Sequence, residues 1–212
     1  MMEAQQEMKT KKTGTTTVGM VCKECVILGS ESKSTLGWLV SGKEVQKIYQ
    51  IDDRMALTIS GGGGDAQALI RILKAEINIY KLTRNAPITV KAVATLLSNI
   101  LSQSRWYPYM FMPILGGVDK DGYHIYSIDP VGGAEKDNYS STGSGSPIAY
   151  GVLEDGYKEG LSRDEGVRLA VRSIRAARER DVFSGAKKIR VLVIDRDGVQ
   201  WIDEAKIQEL AK

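Results

Sequence analysis

The chain has 212 residues, a length that suits one large domain better than two small ones. Its 29 Lys and Arg against 26 Asp and Glu give a net charge of +3, which is too even for a protein that binds nucleic acid or a membrane surface. No apolar run approaches the roughly 20 residues of a membrane span, and the first residues lack a signal peptide's apolar stretch, so we expect a soluble, cytoplasmic protein.

Residues 1–14 are polar and aperiodic, and they predict a flexible leader. Three segments then have the residue pattern of strands: Thr16–Cys22, Cys25–Glu31 and Arg54–Ser60. The four glycines that follow open a helix, for which Asp65 is the expected N-cap. Apolar residues then recur at helical spacing, which extends this helix over about five turns.

The rest of the chain continues with alternating groups of helices and strands. Its predicted elements are a helix that starts at Pro87 and Thr89, strands at Pro113–Asp119 and Tyr123–Asp129, an extended segment near Lys136–Ser141, helices at Pro147–Lys158 and Ser162–Arg180, strands at Lys188–Asp195 and Val199–Asp203, and a short final helix. Helices thus come in pairs between hairpin-linked strands. This order favours an α+β fold with four αββα layers, in which two stacked antiparallel sheets lie between two helical layers.

Few residues in the chain could support familiar catalytic or metal chemistry. Cys22 and Cys25 form a single CxxC pair with no second pair to complete a zinc site, so we expect reduced structural thiols. His124 is the only histidine, which argues for chemistry without imidazole. The run Gly61–Ala66 matches a GxGxxA dinucleotide motif, but its helix leads to another helix rather than to a parallel strand. A dinucleotide-dependent enzyme is therefore the more distant alternative.

The boundary between the leader and the first strand has a specific chemical interpretation. If the leader is cut between Gly14 and Thr15, Thr15 gains a free α-amine beside its hydroxyl. An α-amino group has a pKa of about 7.7–8, so a useful fraction is neutral at pH 7 and can accept a proton. One residue then supplies both nucleophile and base, and Gly14 leaves the scissile carbonyl unobstructed.

The segment Gly14-Thr-Thr-Thr-Val-Gly19 resembles the processing site of a proteasome β-subunit of the archaeal type. The resemblance continues, in the family's order and spacing, through Lys47-Ile-Tyr-Gln-Ile, Gly64-Asp-Ala-Gln, Val93-Ala-Thr-Leu-Leu-Ser-Asn, Ser141-Thr-Gly-Ser-Gly-Ser-Pro and Arg180-Asp-Val-Phe-Ser-Gly. It implies a propeptide over 1–14 that the protein removes itself, and an N-terminal-nucleophile hydrolase domain over 15–212. The implied activity is that of a threonine endopeptidase.

The resemblance also assigns site residues by position. Thr15 matches the catalytic threonine, Lys47 the lysine beside its hydroxyl, and Gly61 the glycine whose N–H stabilises the oxyanion. Glu31 stands where most members of the family have Asp, so its pairing with Lys47 is expected but its geometry is open. Three further residues match those that hold the threonine amine and a proton-relay water: Asp181, Ser144 and Ser184.

Six positions match the family's first specificity pocket: Ser34, Val45, Tyr49, Ile59, Gly63 and Gln67. No charged side chain is among them, so the expected preference is chymotrypsin-like, with a large apolar residue before the cut. Gly63 stands where relatives generally carry a small apolar side chain.

The resemblance further implies stacked heptameric rings of this chain, capped by α-subunit rings and supplied with unfolded proteins by an ATPase. It implies no metal and no organic cofactor. The nearer alternative is a structural ring subunit that is catalytically silent. The presence of Gly14, Thr15, Lys47 and Asp181 argues against that alternative.

Overall fold

The computed structural model describes residues 14–185 and 188–210, so the predicted flexible leader lies outside the described residues apart from Gly14. The strands are β1 (Thr17–Val21), β2 (Val26–Glu31), β3 (Ser34–Leu36), β4 (Leu39–Gly42), β5 (Ile48–Asp52), β6 (Met55–Gly61), β7 (Phe111–Asp119), β8 (Gly122–Ile128), β9 (Ala134–Asp137), β10 (Tyr139–Thr142), β11 (Ile189–Asp195) and β12 (Gly198–Trp201). The helices are α1 (Gly63–Arg84), α2 (Val90–Gln103), α3 (Ser146–Gly156), α4 (Arg163–Arg180) and α5 (Glu204–Leu210). No helix in these ranges is long and apolar enough to cross a bilayer.

Two five-stranded sheets form the centre of the fold. The first has the strand order β10-β1-β2-β11-β12 and the second β5-β6-β7-β8-β9, while β3 and β4 form a separate hairpin. Every pairing among these strands is antiparallel. Among the described strands, β6 before the glycine run thus pairs only with antiparallel neighbours, which removes the context that a dinucleotide motif needs.

Three apolar layers hold the sheets and helices together. Leu28, Ile114 and Leu192 belong to the layer between the two sheets. The helices α1 and α2 pack on the outer face of the second sheet, and α3, α4 and α5 pack on the outer face of the first. The predicted four-layer αββα sandwich of the α+β class is confirmed.

Local sequence signals explain where two of the helices begin. Thr89 caps α2 by accepting the Ala92 N–H at 3.2 Å. Ser162 and Glu165 form the predicted capping box at the start of α4, in which each side chain binds the other residue's backbone N–H. Such caps satisfy N–H groups that have no partner within the helix, which fixes the first residue of each helix.

The prediction of Asp65 as an N-cap is wrong. The helix α1 begins at Gly63, and Gly62 occupies the cap position without a side-chain hydrogen bond. Asp65 lies within the first turn and accepts the backbone N–H of Met110 at 3.2 Å. The Gly62 N–H is satisfied instead by the Met110 carbonyl at 2.7 Å, so a tertiary contact sets the start of the helix.

Both sheets contribute chain segments to the same end of the sandwich. Thr17 at the start of β1 pairs with Ser30 near the end of β2 and with Thr142 at the end of β10. In the second sheet, Ile48 at the start of β5 pairs with Thr58 in the middle of β6, and β6 ends at Gly61. The segments that flank these strand ends carry the candidate site.

Candidate active site

A buried lysine contacts the hydroxyl of Thr15. Lys47 immediately precedes β5, and its Nζ donates to Thr15 Oγ1 at 2.7 Å and to the Lys33 carbonyl at 2.5 Å. The same ammonium group forms an ion pair with Glu31 Oε1. Thr15, Lys47 and Glu31 are each at most 5% exposed, so this interaction is shielded from solvent.

The Glu31 carboxylate binds four donors from separate segments. Besides Lys47, its Oε1 accepts the Thr16 N–H at 3.3 Å. Its Oε2 accepts the N–H of Lys33 at 2.5 Å and that of Gly185 at 3.2 Å. The carboxylate that is one methylene longer than the family's usual Asp therefore still reaches the lysine.

Burial lowers the pKa of Lys47 below that of an ordinary lysine. The Glu31 charge and its hydrogen bond act in the opposite direction but do not fully compensate for the lost solvation. Because its pKa is lowered, a larger fraction of Lys47 is neutral at a given pH than of a surface lysine, and only the neutral amine can serve as a proton acceptor.

Hydroxyl groups and a carboxylate surround the backbone nitrogen of the same threonine. The Thr15 N–H donates to Ser144 Oγ at 3.2 Å, and Ser144 donates to Asp181 Oδ2 at 2.6 Å. Ser184 donates to the same Oδ2 atom at 2.5 Å, and its hydroxyl lies 2.6 Å from Thr16 Oγ1. Asp181 is the C-cap residue of α4, and Ser144 lies in the turn between β10 and α3.

The Gly14–Thr15 peptide bond is held beside Lys47. Thr15 Oγ1 donates to the Gly14 carbonyl oxygen at 2.7 Å, and the Gly14 N–H donates to Thr35 Oγ1 at 3.1 Å. A Cβ atom at position 14 would lie 1.6 Å from Phe183 Cβ, so a glycine fits here and a larger residue requires Phe183 to move. The scissile carbonyl predicted from the sequence thus lies next to the predicted nucleophile.

All six residues predicted for the specificity pocket line one cavity of about 80 Å³ together with Gly14, Thr15 and Lys47. They are Ser34, Val45, Tyr49, Ile59, Gly63 and Gln67. Gly61 lines the same cavity and has a φ of +121°, a conformation that disfavours other residues. A Cβ at position 61 would also lie 2.3 Å from the Met110 carbonyl oxygen.

Sequence reasoning missed several contributors to the site. Lys33 contributes its backbone carbonyl and N–H, and Gly185 contributes its N–H, so neither has a side-chain signature. Thr35 binds the Gly14 N–H from the β3–β4 hairpin, which the sequence pattern did not predict. Gln46 and Ala66 line the cavity as further wall residues.

Comparisons with known proteins identify the family of this chain. The sequence model of the family described as proteasome subunit matches residues 11–194. A proteasome subunit beta of Methanoregula boonei is 48% identical over 209 residues, which cover 98% of each chain. A proteasome subunit beta of Methanocaldococcus jannaschii is 47% identical over 199 residues, 93% of this chain and 88% of the relative. One of Methanosarcina mazei is 46% identical over 196 residues, 92% and 93% of the two chains. The chain belongs to the proteasome subunit family.

Proposed function

We propose that this chain is a catalytic β-subunit of a proteasome core particle and that Thr15 is the nucleophile of a threonine endopeptidase. The observation that carries the proposal is the environment of this one residue. Lys47 Nζ lies 2.7 Å from its hydroxyl, and Ser144 Oγ lies 3.2 Å from its nitrogen. A cation at the oxygen and a hydroxyl–carboxylate relay at the nitrogen are what an N-terminal nucleophile requires.

The first reaction is removal of residues 1–14. Neutral Lys47 accepts the Thr15 hydroxyl proton, and Oγ1 attacks the Gly14 carbonyl carbon. The C–N bond then breaks, its nitrogen takes the proton that Lys47 had accepted and becomes the Thr15 α-amine, and Gly14 remains as an ester on Oγ1. Water hydrolyses that ester and releases the leader as a carboxylate, which leaves Thr15 at the new N-terminus.

The same groups then act on a substrate peptide bond. The free α-amine accepts the hydroxyl proton while protonated Lys47 stabilises the deprotonated oxygen, and Oγ1 attacks the substrate carbonyl. The Gly61 N–H stabilises the negative oxygen of the tetrahedral intermediate. The leaving amine takes a proton from the Thr15 α-ammonium, and water then hydrolyses the acyl ester with Ser144, Asp181 and Ser184 holding the relay.

The cavity beside Thr15 supports a preference for large apolar residues before the cut. Its walls carry Val45, Tyr49, Ile59 and Ala66, and Lys47, the charged residue among those that line it, is paired with Glu31. An acidic or basic substrate side chain would lose its hydration there without gaining an available partner.

The family supports a role inside an assembly, in which stacked rings of this chain are capped by α-subunit rings and receive unfolded proteins from an ATPase. Several large apolar side chains are exposed in the isolated chain, among them Trp38, Leu82 and Trp106, at 83–85%. Trp38 is followed directly by exposed Leu39 and Val40, and a contiguous exposed apolar patch is typical of a surface that a partner covers.

The direct test is to react the processed protein with a peptide vinyl sulfone that carries an apolar residue at the cleavage position. We expect one adduct, located on Thr15 by peptide mapping, together with loss of peptidase activity. The Thr15→Ala variant should form neither adduct nor product. A Thr15→Ala variant that assembles and retains peptidase activity would contradict the proposal, and an inactive wild-type assembly would favour the silent structural subunit.

A further inference from the structure

Four buried hydroxyl side chains form a hydrogen-bonded network between the two sheets, next to the segment that carries Thr15. They are Thr17, Thr58, Ser60 and Thr142, and each is at most 6% exposed. Further into the sandwich the layer between the sheets is aliphatic. The network therefore provides directional contacts between the sheets at the end that carries the candidate site.

Thr142 is the residue with the most contacts in this network. Its Oγ1 lies 2.7 Å from Thr17 Oγ1 and accepts from Ser60 Oγ at 3.0 Å. It also donates to the Met112 carbonyl at 3.3 Å; Ser60 Oγ lies 3.0 Å from the same carbonyl, so the single Ser60 proton is shared between Thr142 Oγ1 and this carbonyl. One hydroxyl thus joins β1 and β10 of the first sheet to β6 and β7 of the second.

The network has one consistent direction of donation. The Ile114 N–H donates to Thr58 Oγ1 at 3.2 Å, and Thr58 donates to Thr17 Oγ1 at 3.1 Å. Thr17 can then donate to Thr142, which donates to the carbonyl of Met112. Every hydroxyl proton in the network has an acceptor, so no hydroxyl is left without a hydrogen bond. Each hydrogen bond of the network can therefore strengthen its neighbours.

We propose that Thr142 is a positioning residue: it fixes the nucleophile, the oxyanion donor and the amine relay at set distances from one another. Thr17 lies two residues after Thr15, and Ser60 immediately precedes Gly61. Thr142 itself lies two residues before Ser144. The inference rests on the proposed function and deepens it, because each of the three segments joined at Thr142 carries one part of the proposed machinery.

The test compares Thr142→Val, which keeps the side-chain shape without the hydroxyl, with Thr142→Ser, which keeps the hydroxyl. Misplacement of catalytic groups by an ångström can cost about a hundred-fold in rate, so we expect Thr142→Val to lower kcat by about ten- to hundred-fold. KM should stay within about two-fold, because none of the six predicted pocket residues is hydrogen-bonded to this hydroxyl. Thr142→Ser should restore most of kcat.

Ser30→Ala is the matched control. Ser30 pairs with Thr17 across the β1–β2 ladder and is fully buried, but its Oγ has no hydrogen-bond partner among the residues that the structure describes. Its removal should leave kcat unchanged. Equal losses of kcat in Ser30→Ala and Thr142→Val would overturn the inference, as would a Thr142→Val variant with wild-type kcat.

Two further measurements distinguish misplacement of the catalytic groups from a general loss of structure in the Thr142→Val variant. A peptide aldehyde forms a hemiacetal with Thr15, so its affinity should fall with kcat in Thr142→Val, whereas the affinity of the matching peptide alcohol should not change. Equal losses for both ligands would indicate a merely structural role and overturn the inference. Hydrogen exchange should become faster at Thr17 and Gly61 but not in β12. The exchange result tests the network even if Thr15→Ala retained activity and the proposed function failed.

Discussion

The two flanks of Thr15 differ in burial and in chemistry. On one flank, Lys47 and Glu31 form an ion pair that is almost completely buried. On the other flank, Ser144 is exposed and Asp181 is partly exposed, and the contacts run through hydroxyl groups. The hydroxyl of the threonine thus faces a shielded charge, and its nitrogen faces a relay that water can reach.

This difference predicts which changes each flank tolerates. A buried charge that loses its partner has no solvent to compensate it, so removing either member of the pair affects stability as well as chemistry. A solvent-accessible carboxylate can be neutralised with little loss of stability, and its removal should affect the reaction alone. The following predictions test that contrast.

The largest effect is expected for Lys47→Met. It should lower peptidase activity by about a thousand-fold or more and destabilise the fold by about 3–5 kcal/mol, because Glu31 remains buried without its cation. Adding Glu31→Gln should recover part of the stability in thermal unfolding but none of the activity. Lys81→Met, which breaks a more exposed pair with Asp52, should change stability by at most about 1 kcal/mol. Near-normal activity in Lys47→Met would contradict the proposed role.

The pH dependence of leader removal tests the lowered pKa of Lys47. In the uncut chain the Thr15 nitrogen is an amide and cannot act as a base, so neutral Lys47 is required. The rate should rise about ten-fold per pH unit below the pKa of Lys47 and level off above it, because the amine is then already deprotonated. The plateau should begin below 10.5, the value of an ordinary lysine.

Intact mass recorded against time at each pH measures this rate. Lys47→Arg is the control, since it keeps the positive charge but cannot become neutral in this range, and it should block leader removal. A rate that keeps rising through pH 10.5 would argue against Lys47 as the base.

A smaller effect is expected for Asp181→Asn. The carboxylate oxygen Oδ2 accepts from both Ser144 and Ser184, and an amide nitrogen cannot replace it. We expect kcat to fall by about ten-fold or somewhat more, with thermal unfolding nearly unchanged. Asp155→Asn, on the exposed surface of α3, should leave kcat unchanged. A stability loss as large as that of Lys47→Met would remove the contrast between the flanks.

The smallest effect is expected at the pocket wall. A Cβ atom at Gly63 would meet no atom within 4 Å, so Gly63→Val should fold normally while it narrows the cavity. KM for peptides with Tyr or Leu before the cut should rise by about ten-fold, with less change for Ala. Gly64→Val is the control, because Gly64 is equally open but does not line the cavity. Faster cleavage after acidic than after apolar residues would contradict the proposed preference.

Most of the fold could be predicted because its elements carry local signals. The capping box at Ser162 and the two-residue turn at Lys120 and Asp121 both set element boundaries through nearby residues. The hairpin of β3 and β4 was missed because three of its seven strand residues, Leu39–Ser41, are exposed in succession and no alternation results. The start of α1 was misplaced because a distant carbonyl, that of Met110, determines it.

The site could be predicted only as far as the family's motifs assign its residues, and Gly61 is the one backbone donor that they assigned. The resemblance assigned Thr15, Lys47 and Glu31, and the structure brings them into contact. Backbone donors such as the Gly185 N–H could not be found in this way, because any residue carries the same group. The hydroxyl network around Thr142 likewise depends on how two sheets stack, which strand patterns alone do not determine.

The most direct test of the central claim is the intact mass of this subunit, before and after it is mixed with an α-subunit partner, for wild type and Thr15→Ala. The account predicts that the wild type loses residues 1–14 and retains Thr15 as its N-terminus, while Thr15→Ala stays uncut. An assembled wild-type chain that stays uncut, or a Thr15→Ala chain that is cut at the same bond, would contradict the claim that Thr15 is the nucleophile.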